Sequence, residues 1–194
     1  DLLEGRLALV ENSDVGIRAV GPQSGRLIFP GSFNPLHEGH ELLARTASRL
    51  SGLAPLLEIS VENVDKPSLS YAELWRRLQG IGGRFTVMLS RAATFVEKAR
   101  LFPEGVFVIG TDTAERLFSE QYYIGGAEGM RRALDEIVGL GCRFLVAGRL
   151  GVAGFVTLED LELPASYAGI FTSIPADQFR RDISSTQIRS ADTG

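Results

Sequence analysis

Both histidines of the chain, His37 and His40, fall in one short segment, Gly31-Ser32-Phe33-Asn34-Pro35-Leu36-His37-Glu38-Gly39-His40. Residues three apart in a first helical turn share a face, so two imidazoles can donate hydrogen bonds to one anion. Gly31 allows a sharp turn and a close backbone approach to a ligand. A helix opening supplies unpaired N–H groups and a partial positive charge suited to phosphate. Ser32, Phe33 and Gly39 belong to the same cradle. Transfer of a nucleotidyl group fits these parts: attacking and departing oxygens lie in line, and donors stabilise the charge that spreads over the α-phosphate, without a covalent intermediate. A His-x-x-His pair is also a metal-binding spacing, yet no cysteine or third histidine lies nearby to complete a tetrahedral set. Solvated helix histidines are the blander alternative.

Two other phosphate loops are absent. With Lys66 and Lys98 as the only lysines, no G-x-x-x-x-G-K-[ST] string exists, and no G-x-G-x-x-G follows a strand. A second candidate site lies near the carboxyl end, in Ile183-Ser184-Ser185-Thr186-Gln187-Ile188-Arg189. The hydroxyls of Ser185 and Thr186 at a helix start, with the Arg189 fork one turn later, suit outer phosphates, although a serine-rich cap followed by a solvated arginine is the commoner meaning of such a string.

These segments need a scaffold that presents them together. From Arg26 onward, strand-like runs at Leu27–Phe29, Leu56–Val61, Phe85–Leu89, Val106–Ile109 and Arg143–Ala147 alternate with helix-period runs at Gly39–Leu50, Ser70–Gln79, Thr94–Leu101, Asp112–Phe118 and Ala127–Gly139. That order predicts an α/β fold: a Rossmann-like, doubly wound parallel sheet of about five strands with flanking helices, binding ligands at the carboxyl ends of its strands. Ser70 followed by Glu73 reads as a capping box. Residues 1–25, with apolar runs around Asn12-Ser13-Asp14 and the string Gly21-Pro22-Gln23-Ser24-Gly25, read as a hairpin or linker from a preceding unit, leaving 26–194 as the principal domain.

GSFNPLHEGH and ISSTQIR together resemble the HxGH nucleotidyltransferase superfamily, particularly the nicotinamide or nicotinate mononucleotide adenylyltransferases and, more distantly, phosphopantetheine adenylyltransferase. The sequence is also similar to proteins called cytidylyltransferase-like, some joined to an amino-terminal CinA-like domain. The resemblance implies that His37 and His40 belong to the motif that grips the triphosphate, with His40, the second, at the α-phosphate, and that Ser185, Thr186 and Arg189 hold the outer phosphates. Gly110-Thr111-Asp112 is similar to the family's G-x-D, in which the acidic residue contacts nucleotide or substrate; a helix-capping aspartate is the ordinary alternative. Lys66, Arg91 and Thr94 occupy places like those of the acceptor pocket, with a solvated loop lysine the alternative for Lys66. The tryptophan that those enzymes often carry soon after G-x-D is not evident, and Tyr122 and Tyr123 stand as replacements or as packing. The resemblance further implies Mg²⁺ carried by the nucleotide phosphates rather than by a protein cage.

The activity expected is transfer of AMP from ATP to a small phosphate-bearing acceptor such as nicotinamide or nicotinate mononucleotide. ATP is expected over CTP because the arginine-threonine-x-glycine-isoleucine-serine motif of true cytidylyltransferases is absent. A non-catalytic nucleotide-binding module and cytidylyl transfer to a sugar- or polyol-phosphate remain as alternatives. A net charge of −4 argues against general affinity for nucleic acid or anionic membrane, and no apolar stretch reaches bilayer length. The single cysteine, Cys142, fits a reducing cytoplasm. A homo-oligomer and an upstream domain in a longer chain both accord with this reading.

Overall fold

Strand β3 (Leu27–Pro30) is a run of apolar side chains, and Leu27 and Ile28 are wholly shielded from solvent. Burial on both faces is the signature of a parallel-sheet interior. β3 indeed pairs in parallel with β4 (Pro55–Ser60) on one side and β6 (Val106–Gly110) on the other. β5 (Val87–Ser90) extends the sheet beyond β4, while β7 (Arg143–Ala147) and then β10 (Phe171–Ile174) extend it beyond β6, all parallel. An antiparallel hairpin, β1 (Leu9–Ser13) and β2 (Gly16–Ala19), closes the β5 edge, so the order is β10-β7-β6-β3-β4-β5-β1-β2. A small ribbon of β8 (Arg149–Gly151) and β9 (Gly154–Val156) stands apart. The computed structural model describes residues 1–64, 67–151 and 154–180.

The main sheet therefore has eight strands where about five were expected. β10 is a four-residue Phe-Thr-Ser-Ile run, too short to carry a periodic signal, and it becomes a strand by pairing Phe171 with Phe144 through to Ile174 with Ala147. The other two strands are the amino-terminal hairpin. Leu9 pairs with Ser90 and Val10 with Leu89, and both side chains are buried in the main core.

Successive strand residues feed opposite faces. In β7, Leu145 and Ala147 join the cluster beneath α1 (Glu38–Ser51) and α2 (Tyr71–Ile81), which supply Leu43, Ala44, Ala47, Leu74 and Ile81. Phe144 and Val146 join the opposite cluster, with Ala99 of α3 (Phe95–Leu101), Ala114 and Leu117 of α4 (Thr111–Leu117) and Ile137 of α5 (Gly126–Gly139). Helix ends follow local chemistry. α1 stops at Gly52, whose φ of 73° is the left-handed conformation that glycine adopts without a Cβ penalty. The Ser70 hydroxyl accepts from Glu73 N at 3.2 Å, but only half of the expected box forms, because the Glu73 carboxylate turns to Arg76, Arg77 and Asn34. Among the described residues no helix is long and apolar enough to cross a membrane.

The chain leaves β3 for β4 and β5 on one side, then crosses back to β6, β7 and β10 on the other. The carboxyl ends of β3 and β6 thus flank the topological switch point, where sheets of this kind open a crevice.

Candidate functional site

The loop after β3 is held from three directions. Gly31 N donates to Glu58 O of β4 at 2.9 Å, Arg77 Nη1 of α2 donates to Ser32 O at 3.1 Å, and Asn34 Nδ2 donates to Glu73 Oε1 at 3.1 Å. The Arg76 and then the Arg77 guanidinium hold the Glu73 carboxyl below its ordinary range. Phe33 is buried with φ at 42°, and a Cβ on Gly31 would lie 2.8 Å from its Cζ. Only glycine at position 31 leaves room for that ring.

The two histidines cap α1 reciprocally. His37 is the N-cap and its Nδ1 accepts from Gly39 N at 3.1 Å, while His40 Nδ1 accepts from His37 N at 3.3 Å. An amide that donates to Nδ1 requires a lone pair there, so the hydrogen of each neutral ring sits on Nε2. The rings stack at 3.7 Å, and Phe29 and Phe33 meet His40 edge-on. Burial, followed by the neighbouring His37, lowers the His40 pKa to about 4. His40 is therefore a neutral Nε2–H donor across the physiological range, and that N–H donates to no described residue.

Beside this cap a cavity of about 710 Å³ opens at the switch point, with Gly31, Ser32, Gly110 and Asp112 in its lining. The histidines adjoin it through Phe29 rather than line it. Each carboxylate on its wall carries its own cation. Glu58 pairs with Lys98 at 2.8 Å, Glu62 with Arg91, and Asp112 with Arg149 at 2.7 Å. Arg116 lines the same cavity and makes no ion pair among the described residues. On the lining itself Arg77, Lys98 and Arg116 balance Glu58, Glu62 and Asp112. The Ser60 hydroxyl is buried at this wall without a hydrogen-bond partner among the described residues. A side cavity of about 170 Å³ shares Ala93, Phe95 and Arg116 and extends to Tyr122 and Tyr123. Tyr123 donates to Leu117 O at 2.8 Å, and burial pushes its phenol up to about 12, so it acts as wall rather than as a proton donor.

The structure brings together Gly31, Ser32, Gly110 and Asp112, with Phe33, His37, Gly39 and His40 directly behind. A Cβ on Gly110 would lie 2.7 Å from Asp112 Oδ1, so the missing side chain gives the carboxylate its place. Two acceptor-side residues are engaged elsewhere. Arg91 reaches the carbonyls of Leu2 and Leu3 at 3.1 and 3.2 Å as well as Glu62, and Thr94 is the N-cap of α3 in a complete box with Glu97. Thr94 borders the side cavity, whereas Arg91 borders neither. Lys66, Ser185, Thr186 and Arg189 lie outside the described residues. Sequence reasoning passed over Glu58, Ser60, Lys98, Arg77 and Arg116; a carboxylate within the apolar run Pro-Leu-Leu-Glu-Ile-Ser was the available signal for the first.

Residues 28–191 match the model of the family described as cytidylyltransferase-like. A protein of Gloeobacter violaceus (strain ATCC 29082 / PCC 7421) named as a probable nicotinate-nucleotide adenylyltransferase is 29% identical over 175 residues, covering 84% of this chain and 81% of that protein. With the switch-point crevice, the histidine cap and a family match over most of its length, the chain belongs to the cytidylyltransferase-like family of the nucleotidyltransferase superfamily.

Proposed function

We propose that the protein transfers AMP from ATP to a phosphate-bearing acceptor, with nicotinate mononucleotide the first candidate, in a reaction of NAD biosynthesis. The observation that carries this reading is the neutral His40 ring at the amino terminus of α1, its Nδ1 taken by His37 N, adjoining through Phe29 the cavity that Arg116 lines. An ionised acceptor phosphate attacks the α-phosphorus, the new O–P bond forms as the bond to the β-phosphate oxygen breaks, and pyrophosphate leaves with the electron pair. The acceptor is already an anion at neutral pH, so no base is needed. His40, at the positive end of α1, stabilises the added charge on the α-phosphate, and Arg116 attracts the second anion.

The outer phosphates fall in this reading to Ser185, Thr186 and Arg189, and the acceptor phosphate to Lys66. Mg²⁺ would arrive on the triphosphate, as this cation commonly binds through substrate phosphates. The ion would neutralise charge on the departing pyrophosphate.

The deciding assay incubates purified protein and Mg²⁺ with ATP or CTP and with nicotinate mononucleotide, nicotinamide mononucleotide or sugar phosphates, and measures pyrophosphate. Release with ATP and nicotinate mononucleotide is expected. Faster release with CTP would overturn the choice of base, and silence across the panel with intact ATP binding would leave a nucleotide-binding module.

A further inference from the structure

The buried wall of the main cavity holds an ion pair to which the transfer chemistry assigns no step. Glu58 is 1% exposed and Lys98 is 6% exposed. Lys98 Nζ donates to Glu58 Oε1 and Oε2 and to Ala92 O, each at 2.8 Å. The Ser90 hydroxyl donates to Glu58 Oε1 and accepts from Ala92 N at 3.1 Å. Burying two charges carries a desolvation penalty, and a well-packed apolar pair of similar volume is commonly as stable or more so. Stability alone is thus a weak reason for an ion pair here. Its hydrogen bonds run to one place, the turn between β5 and α3, gripping Ala92 by both its N–H and its C=O. Ala93 of that turn and Phe95, which opens α3, form wall common to the large cavity and the side cavity.

We propose that Glu58 and Lys98 are positioning residues for the acceptor: through Ser90 and Ala92 they fix the Ala93–Phe95 wall against which the acceptor is seated. This rests on the adenylyl-transfer reading for the identity of the acceptor, and it adds which residues shape the acceptor side. The His37–His40 cap that this reading gives to ATP sits at the start of α1 and not on the β5–α3 turn, so the pair governs the acceptor more than the nucleotide.

Three variants test it. Glu58→Leu combined with Lys98→Met removes both charges at once; Lys98→Met alone leaves a buried carboxylate unpaired; Ser90→Ala cuts the bridge to Ala92 N without burying a new charge. The probes are nicotinate mononucleotide and ATP, read by calorimetric titration and by steady-state KM. The double variant is expected to keep a Tm close to that of the wild type, yet to raise Kd and KM for the mononucleotide about tenfold while KM for ATP moves less than about twofold, a split that a packing role would not produce. Ser90→Ala is expected to show the same split at about threefold, and it decides alone if the double variant does not fold. Wild-type Kd for the mononucleotide in a folded variant would overturn the positioning role and leave the transfer reading standing. A wild type that binds the mononucleotide without releasing pyrophosphate, with binding weakened in the variants, would overturn the transfer reading and keep the positioning role. A wild type that does not bind the mononucleotide overturns both.

Discussion

Neutrality of His40 is a matter of geometry. The ring is half-enclosed, stacked on His37 and bonded at Nδ1 by an amide, so a proton there would sit against another donor. Its pKa of about 4 in the folded chain lies below the ordinary 6.5, and an unfolded chain therefore takes up the proton first. The stability that the neutral ring contributes is complete above the unfolded value and is lost as pH falls toward the folded one, on the order of 3 kcal/mol at the acid end. Thermal melts of wild type and His40→Gln between pH 7.5 and about pH 4.5 should show a shallower acid slope in the variant; parallel slopes would place the acid sensitivity elsewhere. In turnover, His40→Ala should lower kcat by about 10²–10³ while ATP affinity falls much less, the scale for losing one donor to a developing oxyanion. A variant with full kcat would remove His40 from the chemistry.

Helix starts and tight loops do the positioning at the next scale. Thr94 spends its hydroxyl on the α3 box, accepting from Glu97 N at 3.4 Å and donating to Glu97 Oε2 at 2.9 Å. Thr94→Ala should cost about 1 kcal/mol, a Tm drop of about 2–4 °C in a chain of this size. A large rise in acceptor KM at unchanged Tm would make the hydroxyl a substrate contact instead. The loop after β3 is less forgiving. A methyl at Gly31 meets a ring that is itself buried in the core, so Gly31→Ala should destabilise by about 1–3 kcal/mol and weaken ATP binding in step. Chemical denaturation with the ATP-induced Tm shift checks this, and a variant as stable as the parent would show that Phe33 can move aside.

At the scale of the whole molecule, the amino-terminal segment is tied to the sheet through Arg91, whose guanidinium reaches Leu2 and Leu3 across nearly 90 positions of sequence and also holds Glu62. Arg91→Ala should speed hydrogen exchange in residues 1–8 by about tenfold or more, since these amides then open locally without global unfolding. An unchanged exchange pattern with a marked loss of acceptor affinity would assign Arg91 to the site after all.

Local physics made much of this legible in the chain itself. The alternation of apolar runs with helix-period runs set the parallel sheet and its core faces, and the His37–His40 spacing put the two rings together at a helix start, because both depend on residues within a few positions of one another; that they stack and cap α1 reciprocally came from the structure. Gly31 was readable for the same reason. Tertiary structure decided what needs distant partners. β10 is a strand only because β7 offers its edge, and the hairpin of β1 and β2 joins the sheet only because β5 does. Glu73 leaves its box for Arg77 and Asn34, Arg91 turns to the amino terminus, and Glu58 meets Lys98 forty residues on, buried at the cavity wall. Spacing within one element fixes which side chains share a face, whereas pairing across elements depends on how the sheet is wound.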